Sequence, residues 1–176
     1  MVNIFELWST ALKCLVFSDS HGFSLYMKKA IDMHRDTEAV FFLGDGLSDI
    51  EEISFSYPSV AFFAVRGNCD FRTIALGGFV RKTASVELLS KKIVYTHGDL
   101  YGAKYGTAGL ENLAKDRGAD IVLFGHTHTP TLNYFSDAPH PFYLFNPGTV
   151  GARSGSFGIM TLTDGGEPLF SHGNIV

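Results

Sequence analysis

Short hydrophobic runs that end abruptly in polar residues recur along the chain. Continuous rather than alternating hydrophobic positions of this length are typical of strands buried on both faces of a sheet. The pattern therefore predicts five buried strands, at residues 14–17, 39–43, 60–65, 92–95 and 121–124.

Two segments between these runs carry hydrophobic residues at helical spacing. Residues 25–34 separate the first two runs, and residues 110–117 separate the last two, with Gly118 placed to end the second helix. A strand–helix–strand order requires a crossover connection, and hence a largely parallel arrangement of those strands.

The remaining patterned segments predict antiparallel strands. Residues 86–95 indicate a hairpin that turns near Ser90, and the tail at 142–170 indicates further strands with a hairpin turn at 163–166. Together the elements predict an α/β protein with a second sheet layer.

Length and composition predict one domain spanning residues 1–176, with residues 1–12 as an N-terminal extension that is either a short helix or a frayed arm. The net charge of −4 disfavours a partner as anionic as long nucleic acid. No hydrophobic run is long enough to span a membrane, and the N-terminus lacks the basic region of a signal peptide. We therefore expect a cytoplasmic protein without a membrane partner.

Each of the five runs is followed by residues that can bind a metal ion. Alone, each of these motifs is typical of an ordinary turn or a buried histidine, but their joint occurrence at strand ends favours a ligand site, with the donors converging on one edge of the sheet. Nitrogen and oxygen donors without thiolate suit borderline and hard divalent ions, and seven donors exceed what one tetrahedral ion needs. The candidate donors are Asp19, His21, Asp45, Asn68, His97, His126 and His128.

We expect these donors to hold two divalent ions, with manganese favoured and nickel, iron, cobalt and zinc as alternatives. Two ions about 3.5–4 Å apart can hold a hydroxide between them for in-line attack at phosphorus. A carboxylate can bridge two ions, whereas a neutral imidazole ordinarily binds one.

The motifs D-x-H, G-D, G-N-x-D, H-G and G-H-x-H, in this order, resemble the calcineurin-like metallophosphoesterase superfamily, and in particular its small bacterial and archaeal phosphodiesterase branch. The resemblance covers residues 14–162. It implies a four-layer αββα sandwich of two mixed β-sheets flanked by helices. It also implies that Asp19, His21 and His128 hold the first ion, that Asn68, His97 and His126 hold the second, that Asp45 bridges them, and that Asn68 touches the phosphate.

Two positions depart from the pattern of the superfamily. Cys69 stands where many members carry a histidine that protonates the leaving group, and Asp99 stands where similar proteins often have another histidine. Arg153 is a candidate for binding a phosphate oxygen. Lys104 and Tyr105 lie in a glycine-flanked stretch just past His97 and are candidates for lining a substrate pocket.

The expected function is therefore hydrolysis of phosphodiester bonds in small phosphate esters by a metal-bridging hydroxide. A phosphomonoesterase or nucleotide hydrolase with the same site is an alternative, and so is a non-catalytic scaffold on this fold, which the retromer scaffold subunit exemplifies. Since similar proteins are often dimers, a homodimer is also left open.

Overall fold

A computed structural model of the chain describes residues 11–152 and 155–175, which contain twelve strands and three α-helices. The first sheet contains, in spatial order, β12 (Leu169–Asn174), β11 (Ser156–Thr163), β1 (Ala11–Phe17), β2 (Ala39–Phe42) and β3 (Ala61–Ala64). The second contains β6 (Thr83–Leu88), β7 (Lys91–Thr96), β8 (Ile121–Leu123), β10 (Phe142–Asn146) and β9 (Thr131–Phe135). A separate ribbon pairs β4 (Ile74–Ala75) with β5 (Gly78–Phe79).

The helices cover the outer faces of the two sheets. Helices α1 (Ser24–Met33) and α2 (Leu47–Ser54) pack on the first sheet, and α3 (Ala108–Arg117) packs on the second. The central core lies between the sheets, where side chains such as Phe41 meet Tyr95. The order helix, sheet, sheet, helix confirms the expected four-layer αββα architecture with two mixed sheets.

The five predicted strands are β1, β2, β3, β7 and β8, and the pairs β1–β2, β2–β3 and β7–β8 are parallel. Two details of the expectation are wrong. The residues of β3 are only partly buried, because β3 is the edge of its sheet. The donor-bearing strands also do not share one sheet edge, since β1, β2 and β3 belong to the first sheet and β7 and β8 to the second.

The local turn signals are confirmed. Gly118 ends α3 at φ 54°, in the left-handed region that glycine adopts without strain. The β6–β7 hairpin turns at residues 89–90, and residues 163–166 connect β11 to β12. Strand β1 begins at Ala11, so residues 11–12 belong to the sheet, whereas residues 1–10 of the expected extension lie outside the described part of the chain. No helix among the described residues is long and apolar enough to cross a membrane.

Candidate metal centre

The seven predicted donors lie just beyond the C-terminal ends of five parallel strands. Strands β1, β2 and β3 lead to Asp19 and His21, to Asp45 and to Asn68, respectively. Strands β7 and β8 of the facing sheet lead to His97 and to His126 and His128. The two sheets therefore bring their donors together from opposite sides of the sandwich.

One group of donors surrounds the Nε2 atom of His97, which is fully buried. Asn68 Oδ1 and His126 Nδ1 each lie 3.1 Å from this nitrogen, and Asp45 Oδ2 lies 3.4 Å from it. The other ring nitrogen, His97 Nδ1, donates to the carbonyl of Leu43 at 2.8 Å. Because that carbonyl can only accept, it leaves the lone pair of Nε2 available for a metal ion when the imidazole is neutral.

A second group lies around Asp19, whose side chain is fully buried. His128 Nε2 lies 3.1 Å from Asp19 Oδ1, and His21 Nε2 lies 3.9 Å from the same oxygen. The other carboxylate oxygen, Asp19 Oδ2, accepts hydrogen bonds from Ser18 Oγ at 2.5 Å and from the backbone N–H of His126 at 3.0 Å. Asp19 Oδ1 thus faces the histidines while Oδ2 is held by the protein.

Asp45 lies between the two groups. Its carboxylate is within 4.8 Å of the ligand atoms of Asp19 and His97, and also of those of His21 and Cys69. A carboxylate placed in this way can contact two ions at once, in line with the predicted bridging role, which stays a prediction.

The charges of the site reflect this crowding of carboxylates and imidazoles. Burial alone would raise the pKa of Asp45, but the contact and positive charge of His97 hold that pKa well below its usual range. Burial likewise opposes protonation of His97, yet Asp45 and Asp19 raise the pKa of this imidazole. Burial and the charges of His97 and Lys104 lower the pKa of His126. The carboxylates of Asp45 and Asp19 therefore favour positive charge at the position of His97.

Asp70 links the loops that carry Asp45 and Asn68. Its Oδ2 accepts the backbone N–H groups of Asp45 at 2.7 Å and Gly67 at 2.9 Å, and its Oδ1 accepts those of Gly46 at 2.9 Å and Leu47 at 3.0 Å. These four bonds hold the two loops at a fixed separation. Asp70 ends the G-N-x-D motif, but its role is not visible in the sequence, because its bonds join segments about twenty residues apart.

Five of the seven donors occupy the left-handed backbone region, which costs a non-glycine residue about 1–2 kcal/mol. Such conformations turn the chain sharply at the strand end and direct each side chain inward. Tertiary contacts offset this cost, as where Thr149 Oγ1 donates to the carbonyl of Asp19 at 2.8 Å. The φ angles are 56° for Asp19, 46° for His21, 61° for Asp45, 68° for His126 and 60° for His128.

The donor set fits divalent metal ions chemically. A carboxylate oxygen of Asp45, the amide oxygen of Asn68 and an imidazole nitrogen of His126 converge on His97 Nε2. Oxygen and nitrogen ligands of this mixture suit manganese, iron, nickel, cobalt or zinc.

The other residues singled out from the sequence lie around this cluster. Cys69 is exposed, and its backbone N–H donates to Asp45 Oδ1 at 2.8 Å. Asp99 does not face the donors as a free carboxylate, because its Oδ2 pairs with Lys82 Nζ at 2.7 Å. Arg153 lies outside the described residues, so its proposed contact with phosphate stays a prediction.

The fold and the clustered donors define a class of α/β proteins with a metal-binding site at the strand ends. The chain belongs to the calcineurin-like phosphoesterase superfamily, whose domain model matches residues 12–165. The probable metallophosphoesterase YsnB of Bacillus subtilis is 29% identical over 157 residues, which cover 86% of this chain and 85% of that protein. Phosphodiesterase YfcE of Escherichia coli K12 is 33% identical over 104 residues, which cover 55% of this chain and 50% of YfcE.

Solved structures show the same fold. A predicted phosphoesterase from Streptococcus pneumoniae TIGR4 is 25% identical with a TM-score of 0.69, covering 95% of this chain and 99% of that one. Vacuolar protein sorting 29 from Cryptosporidium parvum is 16% identical with a TM-score of 0.71, covering 93% of this chain and 97% of that one, and shows the fold alone. The resemblance inferred from the motifs is thereby confirmed.

Proposed function

We propose that the protein is a di-metal phosphoesterase that hydrolyses phosphodiester bonds of small substrates. The observation that carries this proposal is the convergence of all seven predicted donors, in a chain of this superfamily, around the buried Asp19, Asp45 and His97. The similarity to phosphodiesterase YfcE favours a diester over a monoester as substrate. Manganese is the expected metal.

The proposed roles follow the two groups of donors. Two divalent ions, when bound, would supply an activated water for attack at phosphorus and positive charge to balance the charge that develops there. Asn68 is exposed, and among the described residues its Nδ2 donates only to Cys69 Sγ at 3.3 Å, so this amide can turn to a phosphate oxygen. Asp19, His21 and His128 would hold the first ion, Asn68, His97 and His126 would hold the second, and Asp45 would be the ligand that the two ions share.

Cys69 does not serve as a nucleophile in this proposal. Its hydrogen bond to Asp45 raises the pKa of the thiol, and burial and the negative charges of the site act in the same direction. A thiol that keeps its proton at neutral pH is a poor nucleophile, because the thiolate is the reactive form. Attack by hydroxide leaves Cys69 intact.

The proposal is tested by hydrolysis of bis-p-nitrophenyl phosphate beside the monoester p-nitrophenyl phosphate, using metal-stripped protein with and without Mn²⁺. We expect metal-dependent cleavage that favours the diester, and loss of that cleavage in folded Asp45→Asn and His97→Ala variants. Asp116→Asn, an exposed carboxylate on α3, is the matched control and retains activity. Preference for the monoester would replace this proposal with a phosphatase, and metal-dependent cleavage retained by both variants would refute the mechanism.

The scaffold alternative has support from the fold of vacuolar protein sorting 29, but a degraded site should lack at least one donor and all seven positions are filled. Failure to cleave either ester with Mn²⁺, Ni²⁺, Co²⁺ or Zn²⁺ would favour that alternative.

The cytoplasmic location, the single domain and the homodimer stay predictions. Light scattering on the purified chain tests whether it forms a homodimer.

A further inference from the structure

A short turn, Ala103–Tyr105, lies beside the candidate metal centre without contributing a donor to it. The turn is bracketed by Gly102 and Gly106, whose φ angles of 65° and 139° favour glycine. The backbone N–H of Ala103 donates to the carbonyl of Gly98 at 3.2 Å, and that of Tyr105 donates to Gly102 at 2.8 Å. The turn is therefore closed and tied to the strand end that carries His97.

Packing at Gly98 places the turn next to His126. A Cβ atom on Gly98 would lie 3.0 Å from the Cβ of Ala103 and 3.8 Å from the Cβ of His126. Ala103 is buried and anchors the turn, while Lys104 and Tyr105 are exposed.

Within residues 11–152 and 155–175, the ammonium group of Lys104 has no hydrogen bond and no carboxylate partner. The nearby carboxylate of Asp99 is already paired with Lys82 at 2.7 Å. Lys104 therefore adds uncompensated positive charge beside donors that are expected to hold cations, a placement that favours an anionic ligand.

The neighbouring side chain of Tyr105 is 97% exposed and stacks on no other aromatic ring of the described residues. A tyrosine ring that is presented on a closed turn, rather than buried in the core, offers a flat surface to a ligand ring. Lys104 and Tyr105 thus place a charge and an exposed ring on the same turn.

We propose that the turn Ala103–Tyr105 selects the substrate: Lys104 binds a second anionic group on the organic part of the ester, and Tyr105 stacks on a flat ring. The expected substrate class is a phosphodiester that carries both a ring and a further anionic group, as a phosphorylated nucleoside does. This inference rests on the proposed function, because it assigns the substrate of the same site.

The test uses thymidine 5′-(p-nitrophenyl phosphate) with and without a 3′-phosphate, two esters that share their leaving group and ring. We expect the Mn²⁺-loaded protein to prefer the 3′-phosphorylated ester. Lys104→Met should lower kcat/KM for the 3′-phosphorylated ester by about three- to tenfold, because one partly exposed charged contact is lost. For the ester without the 3′-phosphate, kcat/KM should change by less than about twofold. The preference should also shrink as ionic strength rises.

Binding provides a second readout that does not depend on turnover. In calorimetric titrations, Lys104→Met should weaken the binding of thymidine 3′,5′-bisphosphate by a similar factor. The affinity for thymidine 5′-phosphate should stay nearly unchanged. Lys115→Met, an exposed lysine on α3, is the matched control and should alter neither. Tyr105→Phe should keep, and Tyr105→Ala lose, the preference for the thymidine ester over ethyl p-nitrophenyl phosphate.

Equal effects of Lys104→Met on both esters, or none on either, would overturn the role of Lys104. Wild-type protein that cleaves bis-p-nitrophenyl phosphate but does not distinguish the thymidine esters would overturn this inference and leave the proposed function standing. Wild-type protein that cleaves no ester with any metal would overturn both.

Discussion

Replacing Asp70 with asparagine should loosen both loops that it joins. The carboxylate accepts four backbone N–H groups, two on each oxygen. Asparagine keeps one accepting oxygen and turns an NH₂ group toward the other two donors. Two charge-assisted bonds are thus lost. Allowing for the partial exposure of the site, we expect this loss to lower the free energy of unfolding by a total of about 2–4 kcal/mol. Loss of negative charge at the start of α2 adds roughly 0.3–1 kcal/mol.

The assay is urea unfolding of metal-stripped Asp70→Asn, followed by calorimetric titration with Mn²⁺. Because Asp70 positions the loops of Asp45 and Asn68, we also expect Mn²⁺ to bind about 10–100-fold more weakly. Asp36→Asn is the matched control, since the Asp36 side chain is 71% exposed and, within the described part of the chain, forms an ion pair only with Lys13. This substitution should lower the free energy of unfolding by at most about 1 kcal/mol. An Asp70→Asn protein within about 0.5 kcal/mol of wild type, with unchanged Mn²⁺ affinity, would refute the argument.

Three further predictions concern the same region. In the folded protein a thiol reagent should modify the exposed Cys69 and spare the buried Cys14. Cys69 should react more slowly than a free thiol because its pKa is raised. Mass spectrometry of the labelled peptides measures both, and equal labelling of the two cysteines would contradict the prediction. In metal-stripped protein the raised pKa of His97 stabilises the folded state. This stabilisation is complete below the pKa of the unfolded state, 6.5, and is lost as pH rises through the pKa of the folded state. The corresponding pH dependence of the urea midpoint should disappear in His97→Ala. Gly125→Ala would place a Cβ against Ser18 Oγ, so it should lower the free energy of unfolding by about 1–3 kcal/mol, and a thermal midpoint equal to wild type would contradict it.

The strands and the donors could be predicted from sequence because both are local signals. A buried parallel strand is a continuous hydrophobic run, and each donor follows such a run within four residues. Helix α2 is not among the predicted elements although Leu47, Ile50 and Ile53 have helical spacing, because it has only eight residues and directly follows a glycine turn.

The parts that sequence could not predict depend on contacts between distant segments. The division of the donor strands between two sheets is set by pairings such as β1 with β11, far apart in the chain. The four bonds of Asp70 and the packing of Ala103 against Gly98 likewise arise only once the loops are brought together. Ribbon β4–β5 has two residues in each strand, too few for a detectable alternation.

The central claim is that the seven donors hold two metal ions around Asp45. The most direct measurement is anomalous diffraction at the manganese edge from crystals of the protein soaked in Mn²⁺. The account predicts two anomalous peaks about 3.5–4 Å apart on either side of the Asp45 carboxylate. A single peak, or peaks away from Asp19, Asp45 and His97, would contradict it.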